Sequence, residues 1–200
     1  MSNPLREARF HSSAPELRDL PPDRGAEVAF AGRSNVGKSS VINRLTEQRK
    51  LARTSGTPGR TQAINVFELA PDVRLTDLPG FGYAKVPKAV KERWERVLPE
   101  YLGNRESLRG MVLVMDLRHA PTPLDEQMLL WASAAAKPVH AVFTKADKLK
   151  SGARRQRFAE ARKAAAGTYG EGLSAQVFSA LDGEGVTELQ EALVEWLELT

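Results

Sequence analysis

The stretch AEVAFAGRSNVGKSS, residues 26–40, determines the fold class of this 200-residue chain. An apolar run typical of a buried strand leads into a glycine-containing loop and then into the start of a helix. Gly32 to Ser39 follow the GxxxxGKS spacing of a phosphate-binding loop, in which glycines allow backbone amides to turn toward phosphate oxygens. We expect Lys38 to reach the β and γ phosphates and Ser39 to place its hydroxyl on Mg²⁺. The stretch therefore predicts a nucleotide site at the end of a strand.

Beyond this stretch, short β-like runs alternate with longer helical runs. Strands are expected at 63–69, 73–77, 111–116, 139–144 and 175–179, and helices at 38–45, 88–102, 124–136, 154–166 and 186–199. This alternation predicts one α/β domain in three layers, with a mostly parallel sheet and helices on both faces. Residues 1–24 lack a periodic pattern and are expected to form an extension that partly packs on a domain at 25–200. Trp94 and Trp196 fall on the apolar faces of two helices and are predicted to be core residues.

The composition is that of a soluble globular protein, with 42% hydrophobic and 27% charged residues. No apolar stretch approaches the roughly 20 residues that a membrane span requires, and the N-terminus lacks the apolar core of a secretory signal. We therefore expect a cytoplasmic protein, and the absence of cysteine agrees weakly with that compartment. The net charge of +4 fits a nucleic-acid or ribonucleoprotein partner, although a mildly basic soluble surface would have the same composition.

The next motif is VRLTDLPG, in which an apolar run delivers Asp77 to the end of a strand. We expect Asp77 to hold Mg²⁺ through water and the amide of Gly80 to sense the γ phosphate. Leu78 and Pro79 lie between them and belong to the same candidate site. The motif therefore predicts a second loop that responds to the nucleotide.

A polar, basic segment, RKLARTSGTPGRT at 49–61, separates the first helix from the next strand and is typical of a mobile loop. Thr57 and Thr61 are both candidates for coordinating Mg²⁺ when the γ phosphate is present, which would order the loop until hydrolysis. We favour Thr61, because it immediately precedes a strand that can anchor it. Gly59 and Arg60 lie beside it in the candidate site.

Base recognition is predicted from VHAVFTKAD and AQVFSAL, two runs that each leave an apolar strand at the carboxyl edge of the sheet. The Asp147 carboxylate can accept hydrogen bonds from N1–H and the 2-amino group of guanine, whereas adenine offers no matching pair of donors. Lys145 would lie along the base and ribose, and a backbone amide near Ser179 and Ala180 would meet guanine O6. These residues favour a guanine nucleotide over an adenine nucleotide.

The ordered motifs GRSNVGKSS, TPGRTQ, DLPGFGYA, TKAD and FSA resemble those of the translation-factor-related GTPases and, among these, the EngB family, also called YihA or YsxC. The resemblance covers nearly everything from Gly25 to the end of the chain. It implies a Ras-like P-loop GTPase domain that binds GTP and GDP with Mg²⁺ and takes part in assembling the large ribosomal subunit in bacteria. It also implies a role in normal cell division and septation, for which no residue gives a direct sign.

The resemblance extends to individual positions. It implies Lys38, Thr61 and Gly80 as catalytic residues, and Ser39, Thr61 and Asp77 as metal ligands. The implied nucleotide-binding residues are Gly32, Arg33, Ser34, Asn35, Val36, Gly37, Lys38, Ser39 and Ser40 in the phosphate loop, Gly59, Arg60, Thr61, Asp77, Leu78, Pro79 and Gly80 in the switches, and Thr144, Lys145, Ala146, Asp147, Phe178, Ser179 and Ala180 around the base.

Three positions bear on how the site would work. Thr144 stands where asparagine is usual in GTPases, which predicts a less rigid base loop. Phe81 stands where Ras-like proteins usually have a glutamine that orients the attacking water, so slow intrinsic hydrolysis is expected unless a partner or a monovalent cation assists. Asn35 occupies the position at which related potassium-stimulated GTPases coordinate K⁺, and stabilisation of its own loop is the alternative role.

Two basic clusters could contact ribosomal RNA, and either could equally be a solvated surface. The first lies within or beside the predicted switches and consists of Arg49, Lys50, Arg53, Arg60, Lys85, Lys88 and Lys91. The second lies on a predicted helix and consists of Arg154, Arg155, Arg157, Arg162 and Lys163. The expected partner, the large ribosomal subunit or its precursor, therefore rests mainly on the resemblance, and the chain is expected to be a monomer.

Two other functions compete with a GTPase switch. One is a P-loop nucleotide-binding module without significant turnover. The other is a P-loop ATPase or kinase, which is disfavoured because the TKAD and FSA motifs would then have no purpose.

Overall fold

The computed structural model describes residues 3–52, 63–82 and 87–199. The strands are β1 (Arg9–Ala14), β2 (Ala26–Gly32), β3 (Ile64–Ala70), β4 (Val73–Asp77), β5 (Leu108–Asp116), β6 (Val139–Thr144) and β7 (Ser174–Val177). The α-helices are α1 (Lys38–Leu45), α2 (Lys88–Asn104), α3 (Pro123–Ala134), α4 (Ser151–Tyr169) and α5 (Val186–Trp196). Short 3₁₀ helices occur at Pro4–Glu7, Leu17–Asp19 and Ala146–Lys148. None of the helices in these ranges is long and apolar enough to cross a bilayer.

The seven strands form one sheet in the order β1-β3-β4-β2-β5-β6-β7. Strands β4, β2, β5, β6 and β7 pair in parallel, whereas β3 is antiparallel to both β1 and β4. The mostly parallel sheet that the sequence predicted is therefore confirmed. Because parallel strands end at the same edge of a sheet, the loops that follow β2, β4, β6 and β7 are brought together there.

Helices cover both faces of the sheet, as alternating side chains along the strands require. Ala29 and Ala31 of β2 belong to a buried cluster with residues of α2, α3 and α4. Val28 and Phe30 belong to a second cluster, on the other face, with residues of α1 and α5. The three-layer architecture is thus confirmed. Trp94 is buried in the first cluster, and Trp196 is partly buried against the second.

The N-terminal segment corrects one expectation. The sequence indicated no regular element before Ala26, but β1 lies at the edge of the sheet and pairs with β3. Leu5 and Ala14 are fully buried. A register shift between Phe10 and Ser12 interrupts the alternation of β1, which explains why the sequence pattern did not indicate a strand. The boundary between residues 24 and 25 stays a prediction, and the sheet extends across it.

Candidate functional site

The phosphate-binding loop leaves β2 and turns directly into α1. A Cβ on Gly32 would lie 2.7 Å from the carbonyl oxygen of Val114 in β5, so a larger residue would clash with the sheet. Asn35 and Gly37 have left-handed backbone conformations, with φ of 66° and 102°, and Gly37 is the N-cap of α1. The first amides of α1, from Lys38 onward, have no intrahelical acceptor, and together with the helix dipole they favour an anion at this end.

Asp77, the last residue of β4, forms an ion pair with Lys38. Both side chains are largely buried, with exposed fractions of 10% for Lys38 and 9% for Asp77. A buried charge without a partner is costly, and here each group compensates the charge of the other. The two groups assigned to the phosphates and to Mg²⁺ therefore lie side by side. A phosphate near Lys38 and a cation near Asp77 would each take over the role of the present partner.

The oxygen donors at this point suit Mg²⁺. Asp77 offers a carboxylate and Ser39, the second residue of α1, offers a hydroxyl, and both are hard ligands of the kind that Mg²⁺ prefers. Within the ranges that the structure describes, no cluster of three or more His, Cys, Asp or Glu side chains could hold a metal. The donor set fits an ion whose remaining ligands come from water and phosphate rather than from an all-protein cage.

The segment after β4 lies against the phosphate-binding loop. The Leu78 amide donates to the Phe30 carbonyl oxygen at 2.9 Å, which continues the pairing of β4 with β2. Further on, the Ser34 amide donates to the Phe81 carbonyl oxygen at 3.0 Å. The Phe81 side chain is partly buried against the cluster that contains α2 and α3. The position at which Ras-like proteins usually have a water-orienting glutamine is thus occupied by an aromatic ring.

The side chain of Arg33 is directed toward α3. Its Nε lies 3.3 Å from Oδ2 of Asp125, a buried carboxylate that also accepts hydrogen bonds from the amide (2.9 Å) and hydroxyl (2.7 Å) of Thr122 at the N-cap of α3. Arg33 was predicted to be a nucleotide-binding residue. Its guanidinium lies beside Asp125 at the start of α3, and its role in nucleotide binding stays a prediction.

Thr144, at the end of β6, connects three elements. Its hydroxyl lies 2.5 Å from the carbonyl oxygen of Val36 in the phosphate-binding loop and 3.0 Å from that of Met115 in β5. The hydroxyl thus links the base loop to the phosphate loop through a buried contact. A less rigid base loop was predicted because asparagine is missing here, and this contact shows that threonine also provides an anchor.

Lys145 follows Thr144 in a left-handed conformation, with φ of 61°. Its ammonium donates to the carbonyl oxygen of Asn35 and to Oδ2 of Asp116, both at 2.8 Å. Asp116, the last residue of β5, also accepts hydrogen bonds from the amide and guanidinium of Arg118. Burial raises the pKa of Asp116, but the hydrogen bonds from Arg118 and Lys145 outweigh it and hold that pKa well below the usual range. Asp116 therefore stays ionised and holds Lys145 across the phosphate loop.

Asp116 was not among the residues predicted from the sequence. An aspartate at the end of an apolar strand was available as a signal, since the same signal identified Asp77. No motif, however, indicates which side chain such a carboxylate contacts.

Asp147 lies in the 3₁₀ turn after β6 and contacts the FSA loop that follows β7. Its Oδ1 accepts a hydrogen bond from the hydroxyl of Ser179 at 3.0 Å, and its Oδ2 lies 3.2 Å from the ammonium of Lys148. Partial burial raises the pKa of Asp147, but Ser179 and Lys148 bring it below the ordinary value. The Ala146 amide also donates to the Phe178 carbonyl oxygen at 3.2 Å. The two base motifs therefore form one unit around an ionised carboxylate.

Several predicted residues lie outside the described ranges, and their roles stay predictions. They are Gly59, Arg60 and Thr61 of the first switch, the alternative Thr57, and the basic residues Arg53 and Lys85. The described members of the site therefore form two groups, the phosphate loop with Asp77 and the base loop with Asp147. Thr144 and Lys145 connect the two groups.

The chain is similar to known GTP-binding proteins. The profile of the family described as 50S ribosome-binding GTPase matches residues 27–145. A relative from Idiomarina loihiensis, named probable GTP-binding protein EngB, is 54% identical over 94% of this chain and 91% of its own length. A crystal structure of a probable GTP-binding protein engB has a TM-score of 0.70 and 27% identity, over 88% of this chain and 100% of that one.

A more distant structure supports the fold alone. The crystal structure of Era in complex with MgGDPNP and a segment of 16S ribosomal RNA has a TM-score of 0.65 and 22% identity, over 86% of this chain and 57% of that one. The family match and the close relatives nevertheless cover most of the sequence. The chain belongs to the EngB family of GTPases.

Proposed function

We propose that this protein binds GTP and GDP, hydrolyses GTP slowly, and uses its nucleotide state as a switch during assembly of the large ribosomal subunit. One observation carries the proposal: a phosphate-binding loop and an ionised carboxylate meet at one edge of the sheet. Lys38 and Asp77 stand on the phosphate side, and Asp147 stands on the base side. Lys145 and its hydrogen bond to Asn35 connect the two sides. A nucleotide lying along this edge would contact both groups at once.

Asp147 is the proposed guanine-selecting residue. An ionised carboxylate accepts hydrogen bonds from N1–H and the 2-amino group of guanine, and adenine would leave it without donors. Support comes from Ser179 and Lys148, which keep the carboxylate ionised and oriented. The aliphatic part of Lys145 would lie along the base and ribose while its ammonium stays bound to Asp116.

Phosphate binding and hydrolysis are assigned to Lys38, the Gly80 amide and Thr61. When a nucleotide binds, Lys38 would exchange Asp77 for phosphate oxygens, which supply the same kind of charge compensation. Ser39 and Asp77, with Thr61, would hold Mg²⁺, which neutralises charge that develops on the phosphate oxygens. Phosphoryl transfer depends mainly on such positioning and charge neutralisation.

Slow intrinsic hydrolysis is proposed on the basis of Phe81. An aromatic ring cannot make the hydrogen bonds by which a glutamine orients the attacking water. A partner, or K⁺ held beside Asn35, would then provide the missing stabilisation of the transition state. Support for the potassium role comes from the left-handed backbone of Asn35 and from the hydrogen bond that Lys145 donates to its carbonyl oxygen.

The large ribosomal subunit or its precursor is the proposed partner, in the cytoplasm. Support comes from the family description as 50S ribosome-binding and from exposed basic residues near the predicted switches, including Arg49, Lys50, Lys88 and Lys91. Contact through the switches would depend on the γ phosphate, which converts nucleotide state into affinity for the particle. The role in cell division and septation is proposed from the resemblance to EngB.

A second candidate is a nucleotide-binding module without significant turnover, which the aromatic side chain of Phe81 also favours. Phosphate release under multiple turnover distinguishes the two. We expect slow release with Mg²⁺-GTP that rises with K⁺ or purified large subunits, and no release by Lys38→Ala. Release no faster than that of Lys38→Ala under every condition would leave the binding module as the function.

Co-sedimentation tests the partner. The protein bound to a non-hydrolysable GTP analogue should sediment with large subunits more strongly than the GDP-bound protein, and equal sedimentation in both states would contradict the switch. Depletion of the protein should leave precursor large subunits and filamentous cells, while normal particles and septa would contradict the assembly and division roles.

A further inference from the structure

Helix α4 carries the excess positive charge of the whole protein. Its nineteen residues contain five basic side chains, Arg154, Arg155, Arg157, Arg162 and Lys163, and a single acidic one, Glu160. The excess of four positive charges equals the formal net charge of +4 for the complete chain. The rest of the chain is therefore formally neutral, and the basic character is concentrated on one helix.

The five cations of α4 differ in their ion-pair partners. Arg154 pairs with Glu184 at 2.6 Å and Arg157 lies 3.7 Å from Glu160. Arg155, Arg162 and Lys163 are exposed and have no ion-pair partner among the residues that the structure describes. Arg155 and Arg162 are seven residues apart, which places them on the same side of the helix and about 10 Å apart along its axis.

Apart from its charged residues and Gln156, the exposed side of α4 consists of small residues. Ala161 and Ala165 are buried, and Phe158 packs against Phe143 of β6 with ring centroids 5.7 Å apart. Outside this inner stripe, none of the exposed residues from 151 to 169 is apolar and larger than alanine. A membrane-bound helix needs large apolar side chains opposite its cations, and a protein interface needs aromatic or aliphatic anchors at its centre. A phosphodiester backbone needs only accessible cations, and small neighbours allow it to approach closely.

Helix α4 is also distant from the second predicted switch. It packs against α3, β6 and β7, whereas the second switch follows β4. Strands β2 and β5 separate β4 from β6, which corresponds to about 14 Å across the sheet. A change at the second switch when the γ phosphate is lost would therefore not act directly on the exposed side of α4.

We propose that Arg155, Arg162 and Lys163 of α4 form an RNA-binding surface that contacts the phosphate backbone in the GDP state as well as in the GTP state. The choice of RNA rests on the proposed function, since the proposed partner is a ribosomal particle. In this proposal α4 binds RNA in both nucleotide states. The switches respond to the γ phosphate and so determine which assembly state of the ribosomal particle is bound.

The test is fluorescence anisotropy with a labelled fragment of large-subunit ribosomal RNA, using the full chain bound to GDP and, separately, to a non-hydrolysable GTP analogue. The test variant is Arg155→Gln/Arg162→Gln/Lys163→Gln. The control, Arg9→Gln/Arg18→Gln/Arg109→Gln, removes three exposed cations elsewhere and so matches the test variant in net charge. Losing three phosphate contacts should weaken RNA binding at low salt and make the slope of log affinity against log salt less steep by about two. Between about 50 and 200 mM salt, the affinity of the test variant should therefore fall about 15-fold less than that of the unmodified protein. We expect both effects in the test variant alone, and equally in both nucleotide states.

Four results would overturn the proposal: no RNA binding by the unmodified protein, equal losses in the test and control variants, binding confined to the GTP-analogue state, or binding to vesicles of phosphatidylglycerol and phosphatidylcholine in place of RNA. GDP affinity measured on the same samples serves as the folding check for both variants. It also separates the two proposals, because RNA binding without GDP binding would refute the proposed function and leave the α4 surface intact.

Discussion

The contact between Asp116 and Lys145 makes the sharpest prediction, tested by Asp116→Asn. Asparagine keeps the shape of the side chain but removes its charge, so the Lys145 ammonium loses its anionic partner at 2.8 Å. Asp116 is 6% exposed and Lys145 is 29% exposed, so solvent screens the pair only partly. A hydrogen bond to a charged group contributes about 1.5–3 kcal/mol, which corresponds to a loss of GDP affinity of roughly 10- to 150-fold if Lys145 must be held in place to bind.

A double-mutant cycle measured by titration calorimetry with GDP tests this reasoning. Lys145→Met keeps the aliphatic stem and removes the ammonium, so adding Asp116→Asn to it should cost little further affinity. Discrimination between GDP and IDP should stay unchanged in Asp116→Asn, because Asp147 would contact the 2-amino group independently. Losses that simply add, or a changed preference between GDP and IDP, would refute the role of Asp116 as the group that positions Lys145.

Three further predictions concern other contacts. Asp147→Ala should stay folded and lose its preference for GDP over ADP in competition binding, and unchanged discrimination would refute the base-site assignment. Thr144→Val removes the hydroxyl that contacts Val36 and Met115, so denaturant unfolding should report a loss of about 1–3 kcal/mol, whereas an unchanged midpoint would mean that the link is weak. Burial lowers the pKa of His140 below its ordinary 6.5, so the unfolded chain binds a proton more readily as the pH falls through that value. Stability should decline below about pH 6.5 and level off below the native pKa, and His140→Gln should show a flatter profile between about pH 5 and 7.

The sequence was most informative where residue type and spacing together carry the chemistry. The phosphate loop was predicted from Gly32, Gly37 and Lys38, because a loop that surrounds a phosphate needs these residue types at this spacing within one short segment. Asp77 and Asp147 could be identified because each follows an apolar strand, and parallel strands end at one edge of the sheet. The alternation of strands and helices predicted the layers for the same reason, since periodicity follows directly from burial.

Contacts between distant segments could not be predicted. Asp116 and Lys145 are 29 residues apart, and only the parallel pairing of β5 with β6 brings their side chains together. The pairing of Arg33 with Asp125 likewise depends on where α3 begins relative to the phosphate loop. Strand β1 was missed because its interrupted register and mostly exposed side chains leave no alternating pattern.

Competition binding tests the central claim most directly. Purified protein would be titrated with a fluorescent GDP analogue in the presence and absence of Mg²⁺, and the bound analogue would then be displaced with GDP or ADP. Micromolar, Mg²⁺-dependent binding that GDP displaces and ADP does not would support a single guanine-nucleotide site built from the phosphate loop and Asp147. Absence of binding, or equal displacement by ADP and GDP, would contradict it.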